Sequence, residues 1–156
     1  MTGHPPVAAP LRGWRGPAFP LLAEWDPVPR PEFRPGLAAA HDDGVTRVVL
    51  CAGPFSALDR WRVGSPTGWR HRFDTAQIVS NVGAPARLRW SGGEQTLGRA
   101  TSLLLPAALG EVVVDGPVDL LVGYLPDLER DVRAPLLAAG HGAGAIATLG
   151  EGLDDA

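Results

Sequence analysis

Between residues 44 and 125 the chain carries seven short apolar, β-branched runs: TRVVLCA, FSALDRWRV, FDTAQIVSNV, ARLRW, TSLLLPA, EVVVDG and VDLLVGYL. Turn residues separate them at regular spacing, with SGGE and DGP as the tightest punctuation. Runs of this length cannot cross a domain as helices, and apolar residues alternating with polar ones suit strands that bury one face. Phe73, Ile78 and Val82, set among polar neighbours, read as such a buried set. Seven strands in about eighty residues predict an all-β, antiparallel sandwich or barrel. The two apolar runs of LGRATSLLLPAALGEVVVDG, joined across Pro106, then belong to its pair of sheets.

The flanks have other habits. Residues 1–43 contain nine prolines, each of which removes a backbone donor and biases its predecessor toward extended conformations. This segment reads as an extended arm or linker, and Trp14, Phe19, Leu21, Leu22, Trp25 and Phe33 give it apolar anchors along the domain. After the last strand, Pro126 and Asp127 suit a first helical turn, and Leu128, Val132 and Leu136 are spaced by four. A short amphipathic helix is expected to close the β domain, which then spans 44–138. The glycine-rich stretch 139–156 is expected to be a flexible tail.

Composition removes several classes of function. The net charge is -3 and no basic face is legible, so nucleic acid is not expected as a partner, although all 14 basic residues are arginine. No apolar stretch approaches the roughly 20 residues that cross a bilayer, and the start lacks the pattern of a signal peptide. Cys51 is the lone cysteine, which rules out an internal disulfide and suits a reducing, cytoplasmic setting. Its apolar run suggests a buried, inert thiol.

Among β architectures the jelly roll of the cupin kind has a motif that can be checked. Its first motif places two histidines and a glutamate between two glycines, so that adjacent strands aim three ligands at one metal. Here Gly64 and Gly83 supply the frame, and the ligand positions hold Arg70, Arg72 and Ala76. Guanidiniums donate no lone pair and repel a cation. The histidine of the second motif, counted from Pro106, falls on Glu111, read as a strand-edge charge. His71, between the two arginines, points to the opposite face of a regular strand and does not restore the motif. No metal site is expected.

The order of these elements resembles the C-terminal domain of class I mannose-6-phosphate isomerases. It has Cys51 and Phe55 entering a strand, a Gly-Gly hairpin, a strand closed by Leu-Pro-Ala, and a Tyr124 strand leading into Pro-Asp-Leu. The upstream FPLLAEWDPVPRPEFRP is similar to the connection that enters that domain, and the match spans about residues 18–138. The resemblance implies a cupin-like jelly roll and a link to carbohydrate metabolism. It also implies that zinc belongs to a preceding domain absent here, so no cofactor is expected in this chain. The family's Gln-x-His-Pro is met only by the His4 and Pro5 of TGHP, and RPGLAAAH from Arg34 keeps just part of its arginine motif.

Two functions follow from this reading. In one, the chain is the C-terminal half of an isomerase, inactive alone and completed by a separate zinc-bearing polypeptide. In the other, it is a non-catalytic cupin-like module in which Arg60, Arg62, Arg70 and Arg72 bind a sugar phosphate or another anion through bidentate hydrogen bonds. Arginines at alternate strand positions also describe a solvated sheet face, and Trp61, Trp69 and Trp90 are commoner in a core than on a sugar ring. Exposed sheet edges admit a homodimer. Were the chain to turn over mannose 6-phosphate with zinc, His4, His41, His71 and Glu111 would be the ligands to test.

Overall fold

The alternating runs pair into two antiparallel sheets. The structure, a computed structural model, describes residues 34–39, 44–64 and 68–154. The readings of the arm at 1–33, with its aromatic anchors, and of His4 and His41 lie outside the described residues. One sheet has the order β1 (Leu37–Ala38), β2 (Val45–Gly53), β3 (Ser56–Val63), β10 (Val118–Tyr124), β5 (Gln77–Asn81) and β8 (Ser102–Leu105). The other has the order β4 (Trp69–Arg72), β9 (Glu111–Asp115), β6 (Ala86–Trp90) and β7 (Gly93–Leu97). Chain neighbours are often placed in different sheets, as a jelly roll requires.

Register decides which residues face the interior. On β3, Asp59, Trp61 and Val63 stand opposite Val122, Leu120 and Val118 of β10 and opposite Val49, Arg47 and Val45 of β2. On the other sheet, Leu88 of β6 and Trp69 of β4 flank Val114 of β9. These two faces meet in one apolar core with Phe73, Val79, Leu97 and Leu105. The quoted stretch around Pro106 crosses from one sheet to the other. β8 ends at Leu105, Ala107–Leu109 make a single 3-10 turn, and Gly110 at φ +73° turns the chain into β9. A left-handed residue is needed there, and glycine adopts it without a Cβ clash.

Three local readings change with the register. On β5 the inward residues are Val79 and Asn81, while Ile78 is 54% exposed and Val82 also faces out. A slip of one residue exchanges the two faces of a strand, and buried Asn81 disguised the true set. Asn81 is satisfied there, because Nδ2 donates to the carbonyls of Ala84 and Leu97 and Oδ1 accepts from the Gly83 amide. Cys51 is exposed rather than buried. The β2 register shifts between Val49 and Cys51, so a bulge at Leu50 turns Cys51 outward opposite Leu58 and brings Ala52 inward opposite Ala57. β4 and β7 were absent from the seven runs, because WRHR and GEQTL carry few apolar residues.

The C-terminal segment packs where a loose tail was expected. Asp127 caps a π-helical turn, Leu128–Arg133, by accepting from the Arg130 amide at 3.0 Å, and α1 (Ala134–Ala138) continues it. After Gly140, α2 (Ala143–Ala147) folds back. Val132, Leu136, Ile146, Leu149 and Leu153 bury against Val49, Ala52 and Ala57, the end of the large sheet that the strands leave uncovered. The Ala52 amide donates to the Leu149 carbonyl at 3.1 Å. Glycine content suggested looseness, but three apolar side chains spaced three or four apart outweigh it. Among the described residues no helix is long and apolar enough to cross a membrane.

Candidate functional site

Polar side chains occupy inward positions of the large sheet next to the apolar core. Asp59 lies between Ala57 and Trp61 on the inward face of β3 and is 0% exposed. A carboxylate there requires partners, since an unpaired buried charge costs several kcal/mol. Arg47, across the sheet on β2, donates from Nε to Asp59 Oδ2 at 2.6 Å. Trp61 Nε1 donates to the same oxygen at 3.2 Å. The Tyr124 hydroxyl donates to Asp59 at 3.2 Å and accepts from Arg47 Nη2 at 2.9 Å. Arg47 Nη2 also donates to the Asp131 carbonyl at 2.6 Å, which ties the π-helical turn to the sheet.

These contacts set the electrostatics. Burial pushes the Asp59 carboxyl above its ordinary value, against the opposing pull of Arg47, Trp61 and Tyr124. Burial also works against the Arg47 cation, yet Asp59 and Tyr124 together hold its pKa above the usual arginine value. Tyr124 is pushed up by burial and then by the charge of Asp59, so its hydroxyl keeps its proton at neutral pH.

A cavity of about 200 Å³ opens beside this network. Trp61, His71, Gln77 and Tyr124 form its walls, and Arg72, Asp74 and Arg130 also line it. The aromatic wall is continuous. His71 stacks on Trp69 with centroids 5.0 Å apart and meets Trp61 and Phe73 edge-on at 4.6 Å each. Gln77 Oε1 is buried without a hydrogen-bond partner, a deficit of about 1–3 kcal/mol. Arg130 is held by the carboxylate of Asp131 at 2.7 Å.

The four arginines singled out from the sequence do not converge. Arg60 and Arg62 lie on the outward face of β3, and both reach Asp119, at 2.6 and 3.4 Å. Arg70 faces away from the core on β4 and pairs with Glu111 of β9 at 3.1 Å. Arg72 alone of the four lines the cavity, and it has no salt bridge among the described residues. The metal-binding frame is inverted on β4. His71 stands opposite buried Val112 and faces inward, whereas Arg70 alternates to the other side and Arg72, the exposed last residue of β4, lines the cavity. The frame positions thus offer two guanidiniums and a methyl, a donor set that does not fit a metal. Among the described residues no group of three or more His, Cys, Asp or Glu side chains could hold one.

Arg47, Asp59, Gln77 and Tyr124 are not among the site residues expected from the sequence. The signal existed for Asp59, a charge at an inward position of the alternating ALDRWRV strand. Its partner Arg47 could be found only by pairing β2 with β3 in register.

No protein-family model matches the chain, and no curated protein matches it in sequence. Solved structures do resemble it in fold. An RmlC-like cupin from Shewanella frigidimarina NCIMB 400 superposes with a TM-score of 0.52 at 15% identity, covering 61% of this chain and 87% of that one. The mannose 6-phosphate isomerase of Bacillus subtilis gives 0.53 at 17% identity over 62% of this chain, which spans only 31% of the isomerase. Ectoine synthase from P. lautus gives 0.50 at 9% identity, covering 56% of this chain and 68% of that one. Two facing antiparallel sheets, a cavity between them and these likenesses together make the described chain a cupin-fold domain.

Proposed function

We propose that this cupin-fold domain binds a small hydroxylated anion, a sugar phosphate or a sugar acid, in the cavity beside Tyr124, as a non-catalytic module. The observation that carries the reading is Arg72. The cavity's other two arginines are committed to Asp59 and Asp131, so Arg72 is the guanidinium left to meet an anionic group. A guanidinium takes phosphate or carboxylate through two parallel hydrogen bonds. The volume of about 200 Å³ suits a molecule the size of a monosaccharide, and the rings of Trp61 and His71 line it beside polar groups.

Thermal denaturation with mannose 6-phosphate at millimolar concentration tests this. Saturating ligand raises the melting temperature, and Arg72→Ala weakens binding by about 10-fold to 100-fold, the effect of one charge-assisted contact. Arg60→Ala, on the outward face, leaves binding unchanged. Absence of any shift with mannose 6-phosphate and with gluconate refutes the reading. A coupled assay for conversion of mannose 6-phosphate to fructose 6-phosphate, with and without zinc, is expected to show no turnover by the chain alone. Turnover that appears on adding a zinc-bearing isomerase domain would favour the partner-subunit reading instead.

A further inference from the structure

We infer that the cavity recognises its ligand by accepting hydrogen bonds from it at Tyr124, and so selects alcohols over the corresponding carbonyl compounds. The inference rests on the binding role proposed above and adds the chemical class that the inner end of the cavity reads. A phenol has one proton and two lone pairs. The Tyr124 proton is directed at Asp59, at 3.2 and 3.3 Å from its two oxygens, and one lone pair accepts from Arg47 Nη2 at 2.9 Å. One lone pair remains, and Tyr124 is among the residues that line the cavity.

The neighbouring groups keep that polarity. Asp59 Oδ2 takes the Trp61 indole proton, at 3.2 Å, and Arg47 Nε, at 2.6 Å, so neither donor is left for a ligand. Asp59 is fully buried, so no solvent donor replaces the Tyr124 hydroxyl there. Arg47 is fixed at both ends, by Asp59 and by the Asp131 carbonyl. Gln77, opposite Tyr124 in the register of β5 and β10, adds a buried carbonyl oxygen without a partner. A ligand hydroxyl satisfies Tyr124, whereas a carbonyl at that place sets one lone pair against another. Arg72 meanwhile holds the anionic group, so the preferred ligand is a polyol phosphate or polyol acid.

Glycerol 3-phosphate and dihydroxyacetone phosphate form the test pair, since they differ in a hydroxyl or a carbonyl at C2 and share the phosphate. Calorimetric titration of the full chain is expected to show the alcohol bound about tenfold or more tighter, because a buried polar group left unpaired penalises the wrong ligand. Tyr124→Phe removes the preference while phosphate binding through Arg72 persists. The wild-type comparison stands by itself should that variant fold poorly. Equal binding of the two, or preference for the ketone, overturns the inference and leaves the binding role intact. Failure of both phosphates overturns the inference, and with mannose 6-phosphate and gluconate inert as well it overturns the binding role too.

Discussion

Replacing Asp59 by Asn removes one charge from the cavity network without changing its shape. Arg47 then stays folded against the sheet with its Nε contact weakened and its paired counter-charge gone, leaving the more distant Asp131 carboxylate. Breaking a buried ion pair from one side costs roughly 3–5 kcal/mol. The Arg47 side chain is 20% exposed, so some of its charge reaches water and the lower end, about 3 kcal/mol, applies. For a domain of this size that corresponds to a fall in melting temperature of roughly 10 °C. Urea unfolding followed by tryptophan fluorescence reports it directly, since Trp61 touches the substituted group. Arg47→Met is expected to cost as much or more, because Asp59 is fully buried and has no water to turn to. The double variant Arg47→Met/Asp59→Leu should recover most of the loss, as buried pairs often contribute little beyond an apolar equivalent. An Asp59→Asn protein within about 0.5 kcal/mol of the parent, at an unchanged m-value, would refute the claim that the pair holds this end of the barrel.

Other perturbations separate the parts of the fold. Asn81→Ala removes three side-chain hydrogen bonds, of which the one to the Leu97 carbonyl is fully buried while those to Ala84 and Gly83 are part-buried, and a loss of about 1–3 kcal/mol is expected in chemical denaturation. Gly150→Ala drives a Cβ into the Ala52 carbonyl oxygen; it should detach the C-terminal segment and appear as accelerated amide exchange from Leu149 onward. Acid lability should come from the outer face: the hydrogen bond from Arg60 holds Asp119 below its ordinary value of 3.8. A depressed carboxyl contributes stability above the unfolded value and loses it as pH falls through the folded one. Asp119→Asn should therefore flatten the stability curve below about pH 4, and an unchanged curve would assign the acid limb elsewhere. Ile78→Ser and Leu104→Ser, at side chains 54% and 69% exposed, should each alter stability by less than about 0.5 kcal/mol.

Legibility from the sequence followed the strength of periodic signals. The seven apolar runs all became strands, and the Pro106 turn became the passage between sheets, because β-branched runs and turn residues act within a few positions of each other. The π-helical turn and α1 answered to Leu128, Val132 and Leu136. WRHR and GEQTL escaped notice, since a strand that presents histidine inward or lies exposed at a sheet edge has no apolar alternation to show. The cavity was nearly invisible. Arg60, Arg62 and Arg70 looked like a cluster because they are close in sequence, yet β3 and β4 belong to different sheets.

The sequence alone determined an antiparallel β sandwich or barrel whose cupin-frame positions carry no metal ligands, since strand period, turn chemistry and the identity of a side chain are local properties. Tertiary structure decided which face of each strand is the inside. The bulge at Leu50 turned Cys51 out, the register of β4 turned His71 in, and the pairing of β2 with β3 and β10 placed Arg47, Asp59 and Tyr124 within hydrogen-bonding distance. Facing and pairing depend on hydrogen bonds between segments far apart in the chain, as between the Ala52 amide and the Leu149 carbonyl, and no short window along the chain contains both partners.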